Sequence, residues 1–292
     1  MKKLLKPLGF LVLLIIFCSV TSRLLTGGET LEEYAKNNPD IAYATPEKTA
    51  EPLPTAAPSP TATASPQATL QPEDPKACFY YEPLSEDIIA RITGISYPVT
   101  KDEATELAVS AVNITDSEET IAISYKDLRY LQVLYYDFNG EVQTGELICN
   151  KGIAQDLLDI FYELYLNEYQ IEKIRLIDEY NGDDTASMLD NNTSCFNYRV
   201  VDGTTSLSKH ATGCAIDINP FYNPYVVFNK DGSGKTYISP EGSEIYADRS
   251  QDFPYKIDEN DLCYKLFKEH GFTWGGDWNS CKDYQHFQKV VD

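Results

Sequence analysis

Residues 45–75 read TPEKTAEPLPTAAPSPTATASPQATLQPEDP, and no packed core can run through them. Half of the chain's sixteen prolines fall in this stretch, with Thr, Ala and Ser between them and no aromatic residue. Such a segment buries too little apolar surface to offset the entropy of ordering it, so it reads as an extended, semi-rigid spacer. The fold must therefore lie on its far side, in residues 78–292. That is enough chain for one domain, and 42% hydrophobic residues overall are enough for a sizeable core.

Upstream of the spacer, MKKLLK is basic and LGFLVLLIIFCSV is an unbroken apolar run. The run is short for a bilayer span and has the length of a signal-peptide core. Val20-Thr21-Ser22 would serve as a small-residue cleavage site, while Leu24 and Leu25 extend the apolar stretch past Arg23 and favour an uncleaved anchor. Residues 1–25 are thus read as a signal peptide or a membrane anchor. Bulky Phe17 before Cys18 argues against a lipoprotein. In either case Lys2, Lys3 and Lys6 stay on the cytoplasmic side and the remainder faces outside. Residues 26–77 then form an extracytoplasmic stalk, with room for a short helix over 29–44.

A formal charge of −21 excludes a phosphate backbone as a natural partner and disfavours adhesion to anionic lipid. Membrane contact is expected only through the N-terminal segment, and the acid elsewhere is read as a solvated surface. Six cysteines follow Cys18: Cys78, Cys149, Cys195, Cys214, Cys263 and Cys281. An even number in an exported chain permits disulfides, and buried free thiols are the alternative. Without a CxxC pair, a cysteine-based zinc knuckle is not expected.

Beyond residue 78, YLQVLYYDFNGEVQTGELICN gives two alternating runs around Asn139-Gly140, the pattern of a hairpin. IAQDLLDIFYELYLNEY puts Ile153, Leu157, Phe161, Leu164 and Tyr165 on one helical face. IEKIRLIDEY reads as a strand, 195–217 as a second hairpin turning near Gly203, and LCYKLFKEHGF as a helix ending at Gly271. There is no βαβ repeat, so the expectation is α+β, an antiparallel sheet flanked by helices in a single domain. There is no internal repeat, and no feature sets an oligomeric state.

Only three histidines occur, and one of them, His210, lies in SKHATGCAID seven positions before Asp217. His286 lies in DYQHFQ, three residues after Asp283. A catalytic zinc takes three nitrogen or oxygen ligands and keeps one position for water, and His210, Asp217 and His286 supply that set. Asp283 has the place of a general base beside a ligand. Taken singly, each has a plainer explanation, a hydrogen-bonded histidine or a capping aspartate. Gly213 and Ala215 keep the chain slim between His210 and Asp217. GFTWGGDW brings the chain's two tryptophans, Trp274 and Trp278, close to the candidate base as cleft walls or as core. His270, before a helix-ending glycine, reads as structural.

SKHATGCAID fits SxHxxGxAxD, and GGDWNSCKDYQHF fits a WGGDW-then-DxxHF pattern. Together they resemble the VanY-like zinc D,D-carboxypeptidase and L,D-endopeptidase family of bacterial cell walls, which shares the hedgehog-type fold. The likeness extends over about residues 128–287. It implies a zinc held by His210, Asp217 and His286, with Asp283 as catalytic acid/base. NTSCFNYR resembles the family's segment ahead of the first motif, which implies that Arg199 grips substrate, and Ser208, which matches the motif serine, is expected to bind substrate with it. Cys214 stands where Arg or Leu is more usual. The implied activity is hydrolysis of peptidoglycan stem peptides, foremost at D-alanyl-D-alanine. An endopeptidase cutting between L-alanine and D-glutamate is the alternative bond, and a catalytically silent wall-binding module is the alternative class.

Two further expectations depend on the register of the second hairpin. A turn between Gly203 and Thr205 would set Cys195 opposite Cys214, close enough for a disulfide, and Arg199 opposite His210.

Overall fold

A long hairpin organises the first half of the domain. In the computed structural model, which describes residues 74–291 except 107–110, 116–120, 202–203 and 230–231, a series of short elements leads into it. These are β1 (Tyr80–Pro83), α1 (Glu86–Ile92), β2 (Val99–Thr100), α2 (Lys101–Glu106) and β3 (Ile114–Thr115). The hairpin itself is β4 (Leu128–Tyr136) and β5 (Val142–Asn150), turning at Asn139-Gly140 as the alternation predicts. Gly140 has φ +76°, and the Asp137 carboxylate accepts from the N–H groups of Asn139 and Glu141, both at 2.9 Å. β1 adds antiparallel to the free edge of β4. The segment read as signal or anchor, residues 1–25, and nearly all of the stalk lie outside the described residues. Among the described residues no helix is long and apolar enough to cross a membrane.

The amphipathic helix read from sequence is α3 (Ala154–Leu166), and its apolar stripe packs on β4. Leu157, Ile160, Phe161 and Leu164 are buried against Leu131, Val133 and Leu147, in a core that also takes in Phe267 and Phe287. Each such side chain contributes on the order of 1.5–3 kcal/mol by leaving water. IEKIRLIDEY does not form the expected full strand. Only β6 (Lys173–Ile174) is extended; Ile177–Tyr180 is a 3-10 turn, ended by Asn181 and Gly182 at positive φ. Ile174 and Leu176 keep the alternation, but Ile177 is buried as well, and only a turn can bury two successive residues on one side. The short helix α4 (Asp184–Leu189) follows, N-capped by Asp183, and then β7 (Asn192–Thr193) pairs parallel with β6.

The second half supplies β8 (Ala215–Asp217), β9 (Tyr225–Phe228), β10 (Thr236–Ser239), α5 (Leu262–Glu269), β11 (Thr273–Trp274), β12 (Lys282–Asp283) and β13 (His286–Gln288). Asp261 caps α5 at its start, and Gly271 at φ +81° ends it as expected. The α+β, antiparallel expectation holds in outline, with one difference. Instead of a single sheet, the described residues form three antiparallel sheets of three strands, β1-β4-β5, β10-β9-β12 and β11-β13-β8. Two short parallel pairs, β2–β3 and β6–β7, lie beside them. Strands of two to four residues, interrupted by Gly, Pro and 3-10 turns, cannot extend one another into a continuous sheet. All these elements fall in one compact unit, Ala68–Asp292.

Candidate metal centre and its cleft

His210 sits in a 3-10 turn, Lys209–Thr212, and local chemistry fixes that turn at both ends. The Ser208 hydroxyl accepts from the His210 N–H at 3.2 Å, capping the start. Gly213 ends it at φ +65°, a left-handed conformation that side chains disfavour. A Cβ there would also lie 2.6 Å from the Asn150 nitrogen, so this turn rests directly on β5. The chain then enters β8, whose last residue is Asp217. β13 pairs antiparallel with β8 in the register that sets His286 directly opposite Asp217. Sheet pairing thus closes the gap of 69 residues between them.

The three side chains converge. His210 Nε2 lies 3.2 Å from His286 Nδ1 and 3.3 Å from Asp217 Oδ2, and His286 Nδ1 lies 3.0 Å from Asp217 Oδ1. All three residues are buried, His210 to 3% exposure. The outward nitrogens are committed elsewhere. His210 Nδ1 lies 2.6 Å from the Cys195 carbonyl, which can only accept, so the ring proton sits on Nδ1. His286 Nε2 donates to Gln288 Oε1 at 3.0 Å. In the neutral rings, Nε2 of His210 and Nδ1 of His286 then present lone pairs to each other and to a carboxylate.

Such an arrangement needs a cation at its centre. Without a metal, a proton serves. Burial disfavours the His286 imidazolium, but the hydrogen bond and charge of Asp217 outweigh it and push the His286 pKa up to about 9. Burial likewise works against Asp217 ionisation, and the two histidines overcome it, holding that carboxyl well below the usual range. A divalent ion satisfies the same three ligands at once. Tetrahedral zinc with bonds of about 2.0–2.1 Å separates neighbouring ligand atoms by about 3.3 Å, close to the spacing here. Two imidazoles and a carboxylate also suit zinc chemically. The residues present fit the ion.

Asp283 reaches this place from a different sheet. It lies on β12, paired with Tyr225 of β9, and the chain crosses from β12 to β13 within three residues. The site therefore straddles a seam between two sheets. Gly275 makes room there, since a Cβ would lie 2.5 Å from the Asp283 carbonyl oxygen and 2.7 Å from its Cβ. Asp283 is half-buried as a residue, but its Oδ1 is sealed from solvent and has no hydrogen-bond partner. Burial is the main cause that raises its pKa to about 6; the charge of His286 opposes the shift and that of Asp217 adds to it.

The second hairpin forms, but in a different register. Ser208 N–H donates to the Arg199 carbonyl and Asn197 N–H to the His210 carbonyl, so Arg199 faces Ser208 rather than His210. Further down, Ser194 pairs with Asp217. The 3-10 turn takes up the four-residue difference between these two registers, and a hairpin of uniform register cannot include it. The tip at Gly203 lies outside the described residues. One consequence is that Cys195 and Cys214 are not bridged: all six described cysteines are free thiols, and burial raises the pKa of both.

Arg199 nonetheless lines the same cleft as the trio. Its guanidinium pairs with Asp184 of α4 at 2.8 Å, and its Nε is buried without a partner. The cleft, roughly 340 Å³, runs between α4, the second hairpin and β9–β10. Ser208, His210, Asp217, Asp283, His286 and Arg199 all line it, so the predicted residues meet in one place. The tryptophans divide. Trp278 lines the cleft with its ring 5.3 Å from that of His286, whereas Trp274 is core, 3% exposed, its Nε1 bonded to the Tyr284 carbonyl. His270 is structural as expected, 3.2 Å from Asp156.

Sequence reading missed three contributors. Gln288 was findable, since a polar residue two positions after a strand histidine shares its face. The Cys195 carbonyl leaves no trace in sequence, because any residue supplies one. Asp184 and α4 were missed because DTASML is too short and too polar to show a period.

Comparison with known proteins gives one match. Residues 202–289 match the protein family described as D-alanyl-D-alanine carboxypeptidase. No curated protein and no solved structure gives a match. The matched stretch contains His210, Asp217, Asp283 and His286 and bears out the family resemblance there; Arg199 and α4 lie outside it.

Proposed function

We propose that residues 202–289, matched to a carboxypeptidase family, are the core of a zinc-dependent peptidase that removes the terminal D-alanine from peptidoglycan stem peptides. The observation that carries this reading is the meeting of two imidazole nitrogens and a carboxylate within 3.0–3.3 Å, in a cleft with a second carboxylate of raised pKa. His210, Asp217 and His286 would hold the metal, which supplies a polarised carbonyl and an acidified water when bound. Asp283 takes the attacking water's proton and passes it to the departing amine. Burial makes this carboxyl a better proton acceptor than an exposed one, which suits both steps. Gln288 and the Cys195 carbonyl keep each histidine in the tautomer that ligates.

Arg199 offers its free Nε toward substrate, and Ser208 acts by capping the turn that presents His210. The hedgehog-type fold belongs to the same reading. So does an extracytoplasmic location, with the proline-rich spacer carrying the domain to the wall and the N-terminal segment as its only membrane contact. The test is mass spectrometry of purified muropeptides after incubation with the zinc-loaded protein. Loss of one alanine from pentapeptide stems is expected. Unchanged muropeptides, or cleavage within the stem, would overturn the reading.

A further inference from the structure

Three buried side-chain atoms among the described residues have no hydrogen-bond partner: Arg199 Nε, Asp283 Oδ1 and Gln285 Oε1. All three belong to residues that line the one cleft around the metal centre. A buried polar atom left unpaired is costly, and native proteins keep few of them. Their gathering in a single cleft indicates groups that a ligand completes. Asp283 has its task in the proton transfer, and Arg199 offers a donor for a carbonyl or carboxylate. Gln285 lies close enough to Asp283 for its side-chain amide to favour that carboxylate, yet its Oε1 is left without a partner in a residue only 2% exposed.

The orientation of its amide follows from its neighbour. Gln285 Nε2 lies 3.6 Å from the Met188 sulfur of α4. A thioether accepts weakly and never donates, so the NH2 group belongs on the sulfur side, and turning the amide over would set two acceptors against each other. That leaves Oε1 as a fixed, unfilled acceptor. The backbone holds the residue in place, because the Gln285 carbonyl takes the Ile218 N–H at 3.0 Å. An acceptor fixed in this way selects a ligand that brings a donor. Together with Arg199 Nε in the lining of the same cleft, it presents one acceptor and one donor, complementary to the N–H and C=O groups of a peptide backbone.

We propose that Gln285 is a specificity residue of the cleft, its Oε1 accepting a backbone N–H of the bound peptide next to the bond that is cut. This rests on the reading of the cleft as a peptide-binding site. It assigns a determinant to the α4 side of the cleft, where Met188 sets the direction of the amide.

The experiment replaces single substrate N–H groups with oxygen. A synthetic stem peptide ending in Lys-D-Ala-D-Ala and two analogues, with an ester in place of the Lys or the penultimate D-Ala amide, are titrated calorimetrically into zinc-loaded Asp283→Asn protein, with and without Gln285→Leu. The expected result is that one ester binds ~10-fold or more weakly than the amide when Gln285 is present, and that Gln285→Leu removes this difference. Wild-type kcat/KM on the same peptides should show the same ratio. Zinc content and thermal midpoint of Gln285→Leu show that the variant is folded. If the peptide binds and both esters bind as well as the amide, or if Gln285→Leu leaves the ester effect intact, this proposal is wrong while the peptidase reading stands. If no stem peptide binds at all, both fall.

Discussion

Replacing Asp283 with asparagine should make the metal-free protein more stable while removing its activity. The carboxylate Oδ1 is sealed from solvent and unpaired, and the pKa is raised from 3.8 to about 6, chiefly by burial. Keeping the group ionised above pH 6 thus costs on the order of 2–3 kcal/mol. An acid whose folded pKa exceeds its unfolded value destabilises above the folded pKa, and the cost fades as pH falls from about 6 toward 3.8. The asparagine amide has no charge to bury, so the two proteins should differ at pH 7.5 and converge near pH 4. The assay is denaturant unfolding of metal-free wild type and Asp283→Asn at both values. The gain at pH 7.5 should correspond to a thermal midpoint higher by roughly 2–4 °C for each kcal/mol. The zinc-loaded variant should hydrolyse nothing measurable. Asp283→Asn that is less stable than wild type at pH 7.5, or a gain that does not shrink with acid, would refute the account of a carboxylate kept at a cost for its chemistry.

Other perturbations separate metal, seam and scaffold. His210→Ala, Asp217→Ala and His286→Ala should each abolish tight zinc binding by elemental analysis after dialysis, and full occupancy in any of them would remove that residue from the ligand set. Gly275→Ala places a Cβ 2.7 Å from that of Asp283, so kcat should drop at least tenfold with zinc retained; unchanged turnover would show that the seam yields. Arg249 donates to the carbonyls of Tyr222, Tyr246 and Ile257 and to Asn223 Oδ1 beneath Tyr284. Arg249→Ala should therefore cost roughly 2–5 kcal/mol of unfolding free energy, measured by urea titration, and a loss under 1 kcal/mol would mean that water replaces it. Gln288→Leu should weaken zinc affinity about 10–100-fold by chelator competition, whereas unaltered affinity would show that Gln288 does not orient His286.

Some of this architecture was legible in the residues and some was not. Asn139-Gly140 and the stripe from Ile153 to Tyr165 announce their hairpin and helix because local chemistry alone decides them. The trio was legible for a different reason: histidine is scarce here, and sheet register, which brings His286 opposite Asp217, leaves its mark as a motif at each end. Register within the second hairpin was not legible. A four-residue 3-10 turn held by Ser208 and Gly213 interrupts it, and counting from the expected turn cannot detect such an insertion. Pairing of Val201 with Ser206 near the tip sets Arg199 against Ser208 instead of His210, and the 3-10 turn beyond it separates Cys195 from Cys214. IEKIRLIDEY failed as a strand because burial of Ile177 required a turn.

The central claim is that one ion binds where the two histidines and Asp217 meet. Anomalous diffraction from zinc-soaked crystals, collected on both sides of the zinc edge, tests it most directly. The account predicts a single strong peak bonded to His210 Nε2, His286 Nδ1 and an Asp217 oxygen, with Asp283 nearby and not bonded. No peak there, or a peak held by His210 Nδ1 or His286 Nε2, would contradict it.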